Sequence, residues 1–185
     1  KKKEKELLKL LDKHRSKNKS FDCVVPVSGG KDGSYIAYTL KNRYGMNPLA
    51  ISVTPPLALN IGENNLKNFI VSGFHLIQLR LNQQTMQFLD KRGFIDKGLP
   101  YLGWMIAVHT AVIRTALNFD LSLLFYGEDG EVEYGGSTET RDKSLISVDY
   151  QKRIWFENGY EKVLKQLPKN LKPNSFFWTY PSTKE

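Results

Sequence analysis

Seven consecutive positions carry the densest chemistry in the chain: Ser28-Gly29-Gly30-Lys31-Asp32-Gly33-Ser34. The strand-like apolar run Val24-Val25-Pro26-Val27 precedes them, and Ile36, Ala37 and Leu40 follow at helix-face spacing. A strand, a glycine turn and a helix start make an anion site, because the first N–H groups of a helix have no intrahelical partner and carry partial positive charge. Glycines let the backbone approach phosphate oxygens closely. Lys31 adds a mobile cation, and Ser28 and Ser34 add hydroxyls. Asp32 is the informative departure. A carboxylate in a phosphate cradle is repulsive unless a cation lies between, which points to magnesium bridging Asp32 and the phosphates. The competing reading is a tight strand-to-helix turn with no ligand.

On these residues the chain resembles the N-type ATP pyrophosphatases, the PP-loop superfamily, whose SGGxDS loop grips pyrophosphate while ATP is split between its α and β phosphates. The GxxxxGK[ST] P-loop is a different pattern, and no Gly-Lys-Ser/Thr follows the right spacer here. Gly33 stands where usual members have Ser, so one hydroxyl is absent. Phe21-Asp22-Cys23-Val24-Val25-Pro26-Val27, with Tyr126-Gly127-Glu128 and Glu133-Tyr134-Gly135-Gly136-Ser137 downstream, is similar to the N-acetyl sugar amidotransferases of surface-polysaccharide (lipopolysaccharide) and nonulosonic-acid synthesis. The likeness covers roughly residues 20 to 140.

That resemblance implies a set of roles. Ser28, Gly29, Gly30, Lys31, Asp32, Gly33 and Ser34 would bind the ATP phosphates, with Asp32 on Mg2+. Ser52 and Val53 would meet the adenine, and Glu128, Glu133, Tyr134, Gly135 and Gly136 the substrate, with Lys31, Asp32 and Glu128 as the catalytic set. A solvated acidic loop is the competing reading of Glu128, Glu131 and Glu133. The expected reaction is adenylation of the oxygen of an acetamido sugar or sugar nucleotide, then displacement of AMP by ammonia to leave an acetamidino group. Many relatives carry a CxxC-type segment that looks zinc-binding. With Cys23 alone, no zinc is expected from these residues, so either that segment lies outside this stretch or this branch lacks it. Cys23 sits in a predicted strand and reads as a buried structural thiol, so ammonia would come from a separate glutaminase subunit.

A chain of 185 residues, 41% hydrophobic and 12% aromatic, suits one globular domain with a small appendage. No apolar run is long enough to cross a bilayer and no signal-peptide core opens the chain, so a cytoplasmic protein without membrane contact is expected. The net charge is +8. Residues 1 to 20 hold nine Lys or Arg against Glu4, Glu6 and Asp12, which accounts for +6 of it. Basic excess confined to one leading segment reads as a solvated or packing helix, and makes nucleic acid an unlikely partner. The abrupt start on Lys1 and the end on Pro-Ser-Thr-Lys-Glu are expected of part of a longer protein. Homo-oligomerisation is a further expectation.

The positioning elements follow from periodicity. An amphipathic helix over 4–17 displays Leu7, Leu8, Leu10 and Leu11. Strands are predicted over 22–27, 49–54, 74–79 and 121–126, and helices over 33–43, 62–72, 83–92, 101–119 and 150–166, with a mobile loop over 138–149 and an irregular aromatic tail containing Phe176-Phe177-Trp178. Alternating strands and helices predict an α/β fold: a doubly wound, mainly parallel sheet of the adenine nucleotide alpha hydrolase type, with a helical and irregular C-terminal extension. The expected division is a basic helix at 1–20, the pyrophosphatase domain at 21–137 and the extension at 138–185. His109 reads as a core histidine rather than a general base, since no partner sits at a catalytic spacing. His14 and His75 carry no signal. A tRNA-modifying adenylating enzyme, for thiolation or lysidine formation, and a non-catalytic nucleotide-binding module are the alternatives.

Overall fold

Val24 and Val25 have no solvent exposure, and every residue of Pro48–Val53 is buried. Such mostly apolar runs, buried at successive positions, make strands covered on both faces, the environment of a parallel sheet. A computed structural model describes residues 2–18, 20–127, 139, 145–155 and 160–182. It places β1 at Cys23–Pro26, β2 at Pro48–Val53 and β3 at His75–Leu79, all parallel, in the order β1-β2-β3. Helices α2 (Lys31–Asn42) and α3 (Asn60–Val71) make the two crossovers. The fold is α/β, as the alternation predicts.

The segment predicted as a fourth strand pairs with β1 through a single parallel bridge, Val24 with Leu124, on the side away from β2. Val24 N–H donates to the Leu123 carbonyl, and Phe125 N–H to the Val24 carbonyl, both at 2.9 Å. The next rung of a parallel ladder needs an N–H two residues on, at Pro26, which has none. Strand order therefore reverses at β1, and ligands of such sheets gather at the carboxyl ends of the strands beside that reversal.

The chain forms two compact units, Lys1–Leu79 with Val112–Gly127, and Arg80–Ala111 with Glu128–Glu185. In the first, α1 (Lys2–His14) buries Leu11 completely and packs Leu7 and Leu10 on the core, while Leu8 is 40% exposed and leaves the predicted stripe. Arg43 reaches Glu4 of this helix at 2.8 Å, and Arg15 donates to the Tyr44 and Gly45 carbonyls. The buried carboxylate of Asp22 accepts from the backbone of Ser16 (2.5 Å) and Asn47 (2.6 Å), fastening the α1–β1 connection to the start of β2. On α3 Leu66 and Phe69 face the core, whereas Ile70 and Val71 are exposed.

In the second unit, α4 (Gln83–Lys97) starts at Asn82, whose side chain accepts from Thr85 N–H, and runs a turn past its predicted end. Gly93 is a packing residue, not a stop, because a Cβ there would strike the Leu102 side chain. The stop is Gly98, at φ 70°. Asp90 accepts from the backbone of Gly103 (2.8 Å) and Trp104 (3.3 Å), capping α5 (Leu102–Asn118). Desolvation raises the Asp90 pKa, against the lowering effect of those two hydrogen bonds. The helix predicted over 150–166 is α6 (Val148–Tyr150), continuing as a π-turn over Gln151–Trp155, and α7 (Tyr160–Lys165). The aromatic tail is ordered as a 3₁₀ helix, Lys172–Trp178, whose buried Trp178 donates its indole N–H to the Gly103 carbonyl at 2.9 Å. Of the predicted mobile loop over 138–149, residues 138 and 140–144 lie outside the described residues.

If α1 is part of the folded body, Leu11→Ala lowers the unfolding free energy by about 2–4 kcal/mol. Leu8→Ala changes it by less than about 0.5 kcal/mol. Urea denaturation of the two variants beside the unmodified protein checks the contrast.

Candidate nucleotide site

The glycine turn hangs directly from the end of β1. Val27, still buried, donates its N–H to the Ile51 carbonyl at 2.9 Å, after which the chain leaves the sheet. Gly29 has φ +83°, a left-handed conformation that favours glycine. A Cβ on it would lie 2.5 Å from the carbonyl oxygen of Gly62 in α3. The Gly29 carbonyl accepts from Asn65 Nδ2 at 2.8 Å. Helix α2 then begins at Lys31, two residues before the spacing predicts, with Gly30 as an N-cap that supplies no side-chain acceptor. The first-turn N–H groups of α2 are therefore presented at the carboxyl edge of the sheet without a capping side chain, the arrangement that binds anions.

The charged pair rides on that first turn. Lys31 Nζ lies 2.7 Å from Asp32 Oδ1, with the ammonium largely exposed and the carboxylate half-exposed. Ser28 Oγ sits 3.4 Å from Gly30 N, and Ser34 Oγ donates to the Gly30 carbonyl at 2.8 Å, which takes up the Ser34 proton inside the turn. Beside the turn is a cleft of about 260 Å³ lined by Ser28, Gly29, Gly30, the buried Ser52 of β2, Gln78 of β3, and Leu57, Leu59, Ile61 and Glu63 around the start of α3. Val53 is buried next to Ser52 but does not line the cleft.

Gly33 has a steric reason to be glycine. A Cβ there would collide with the Pro26 carbonyl oxygen and come within 3.3 Å of Val27 Cα, so α2 is seated against the end of β1 more closely than any side chain permits. On the other side, a Cβ on Gly127 would come within 2.8 Å of Gly33 N and 3.0 Å of Asp32 C. The chain leaving Leu124 thus ends against the first turn of α2. Glu128, Glu131, Glu133, Tyr134, Gly135, Gly136 and Ser137 fall outside the described residues.

Three residues outside the turn have environments that suppress reactivity. Cys23 is fully buried, and desolvation, with Asp22 adding to it, pushes its thiol up to about 12. Burial raises the Tyr126 hydroxyl pKa and lowers that of His109 to about 4, which keeps the imidazole neutral near pH 7. Sequence reasoning missed the α3 face that holds the turn, Gly62 and Asn65, and the cleft residues Glu63 and Gln78. The visible signals were a glycine at a helix start and the exposed apolar run Leu57-Ala58-Leu59, which no core requires.

No family model and no curated protein sequence matches the chain. Among solved structures it is similar to a predicted subunit of a tRNA methyltransferase from Methanocaldococcus jannaschii, at 21% identity and a TM-score of 0.43. The likeness covers 65% of this chain and 60% of that one. A likeness of that size says nothing about what this chain acts on.

Two outcomes follow from the packing and the burial. Gly33→Ser lowers stability by about 1–3 kcal/mol in urea denaturation, although serine is the residue of the similar family. An unchanged midpoint would show that α2 can move off β1. For His109, the folded pKa of about 4 lies below the unfolded value of about 6.5. Well above pH 6.5 both states are neutral; as pH falls through 6.5 towards 4 the unfolded state takes up a proton that the folded state refuses, and stability drops by on the order of 3 kcal/mol. Unfolding curves of His109→Gln across that window should have a shallower pH slope than those of the unmodified protein.

Proposed function

We propose that this protein is an AMP-forming enzyme that binds ATP at the Ser28–Gly33 turn and uses it to activate the oxygen of an acetamido sugar, free or nucleotide-linked, for replacement by ammonia. The observation that carries the reading is the uncapped start of α2, reached through the left-handed Gly29 and opening beside a cleft with the buried Ser52. The acetamido sugar rests on the resemblance of the motifs around Phe21–Val27 and Tyr126–Ser137, as does the glutaminase partner that would supply ammonia.

An amide oxygen is a poor leaving group. Its attack on the α-phosphorus of ATP forms a P–O bond and expels pyrophosphate, giving an adenylated imidate; ammonia adds to the imidate carbon, and the C–O bond breaks to release AMP. The product carries NH where oxygen stood. No covalent protein nucleophile is needed, and the chain's work is placement and charge stabilisation. The α2 N–H groups, Ser28 Oγ and the Lys31 ammonium, which in the structure rests on Asp32, would stabilise the charge that develops on the departing pyrophosphate.

Magnesium fits the donor set. Asp32 offers one half-exposed carboxylate on the rim of the turn, and magnesium characteristically takes one or two carboxylates together with substrate phosphates rather than a full protein cage. Asp32 would hold the ion, which supplies charge neutralisation on the phosphates when bound.

The test is incubation with ATP, magnesium, ammonium and a panel of acetamido sugars and their nucleotides, following AMP and a product in which NH has replaced oxygen. Asp32→Asn should lower AMP formation by about 10²-fold or more. AMP formed only when tRNA is supplied would move the substrate to a nucleic-acid base, and ATP binding without pyrophosphate release would make the protein a nucleotide-binding module.

A further inference from the structure

The turn that presents Gly30 N–H contains two adjacent glycines, and that makes its orientation a problem in itself. The peptide joining Gly29 and Gly30 is trans and planar, so its C=O and N–H point in opposite directions. A half-turn of that plane changes only ψ of Gly29 and φ of Gly30, and glycine tolerates both signs of φ, so the local sequence does little to choose between the two orientations. The Gly30 N–H points at Ser28 Oγ within the turn, but at 3.4 Å that contact is too weak to decide it. One hydrogen bond from another element does: Asn65 Nδ2 holds the Gly29 carbonyl at 2.8 Å.

Asn65 is three residues beyond Gly62, and positions i and i+3 share a helix face. Gly62 is the residue whose carbonyl oxygen would lie 2.5 Å from a Cβ on Gly29, too close for one to fit. One face of α3 thus does two things at one peptide, excluding any side chain from Gly29 and gripping its carbonyl. With the carbonyl drawn towards α3, the Gly30 N–H is turned away from it, at the N-cap of α2 where the uncapped first-turn N–H groups begin.

We infer that Asn65 is a positioning residue for the phosphate-binding turn: its side-chain amide, by holding the Gly29 carbonyl, sets the direction in which the Gly30 N–H meets the phosphates of a nucleotide. This rests on the nucleotide reading above. It is distinct from a merely structural role, in which Asn65 would tie α3 to the sheet edge and its loss would weaken every ligand alike.

The experiment separates the phosphates from the nucleoside. The unmodified protein, Asn65→Ala and Asn65→Asp are titrated with inorganic pyrophosphate, magnesium ATP and adenosine by calorimetry or ligand-observed NMR, with thermal unfolding measured alongside. Asn65→Ala is expected to weaken pyrophosphate and ATP about tenfold, the scale of one lost hydrogen bond, and to leave adenosine within about twofold. Asn65→Asp places an acceptor against the Gly29 carbonyl and should weaken the two phosphate ligands at least as much. Unchanged phosphate affinities, equal losses for adenosine and pyrophosphate, or failure of both variants to fold would each overturn the positioning role. If the unmodified protein binds neither ATP nor pyrophosphate, it is the nucleotide reading that fails; a defect or its absence confined to the Asn65 comparison leaves that reading standing.

Discussion

The absence of room for a Cβ around the end of β1 is the constraint on which the candidate site depends. Gly29 meets the backbone of Gly62, Gly33 meets the carbonyl of Pro26, and Gly127 meets the backbone of Gly33 and Asp32, each within a distance that a methyl group would violate. Backbone lies on backbone at all three places. Helices α2 and α3 and the chain leaving Leu124 can therefore converge on one short turn, which carries the exposed Lys31 ammonium and the half-exposed Asp32 carboxylate at the start of α2. Elsewhere in the unit the packing is ordinary, with Leu11, Val25, Ala37 and Leu66 filling the space between elements.

Charge follows a different logic from packing. The Lys31–Asp32 contact is exposed, and exposed pairs contribute little to stability, about 0–1 kcal/mol. A carboxylate in a first helical turn is favourable with the helix dipole on its own account, so Asp32 alone would be an unremarkable residue. Its setting makes it specific: it shares that turn with an N-cap lacking any side-chain acceptor and with a cleft that reaches buried Ser52. In α1 Leu11 is buried and Lys2, Lys3, Lys5, Lys9 and Lys13 are exposed, an amphipathic arrangement that leaves those lysines solvated without invoking the cleft.

In the second unit the fixed points are polar groups reaching over long sequence separations. Asp90 caps a helix that starts twelve residues later, and Trp178 sends its indole N–H to Gly103, a separation of 75 residues. Tyr180 does the same on a smaller scale, donating to the buried Gln151 side chain at 2.7 Å. These contacts explain why a tail punctuated by prolines is nevertheless ordered. Proline removes backbone donors but does not prevent an aromatic side chain from burying itself.

The alternation of strands and helices, the buried character of β1 and β2, and the place of the glycine turn were legible in the chain alone, because hydrophobic period and turn chemistry are local properties. Helix α4 runs to Lys97 rather than to residue 92 and ends at Gly98, with Gly93 packed inside it against Leu102, and the fourth strand shrinks to one bridge because Pro26 has no N–H for the next rung. Position 33 shows the same division. Its departure from the similar family's serine reads in sequence as a lost hydroxyl, whereas in three dimensions it is the close seating of α2 on β1. Which residues grip the turn was decided by tertiary structure alone: Gly62 and Asn65 lie over thirty positions away, and no periodicity relates a helix face to a peptide plane it meets only after folding.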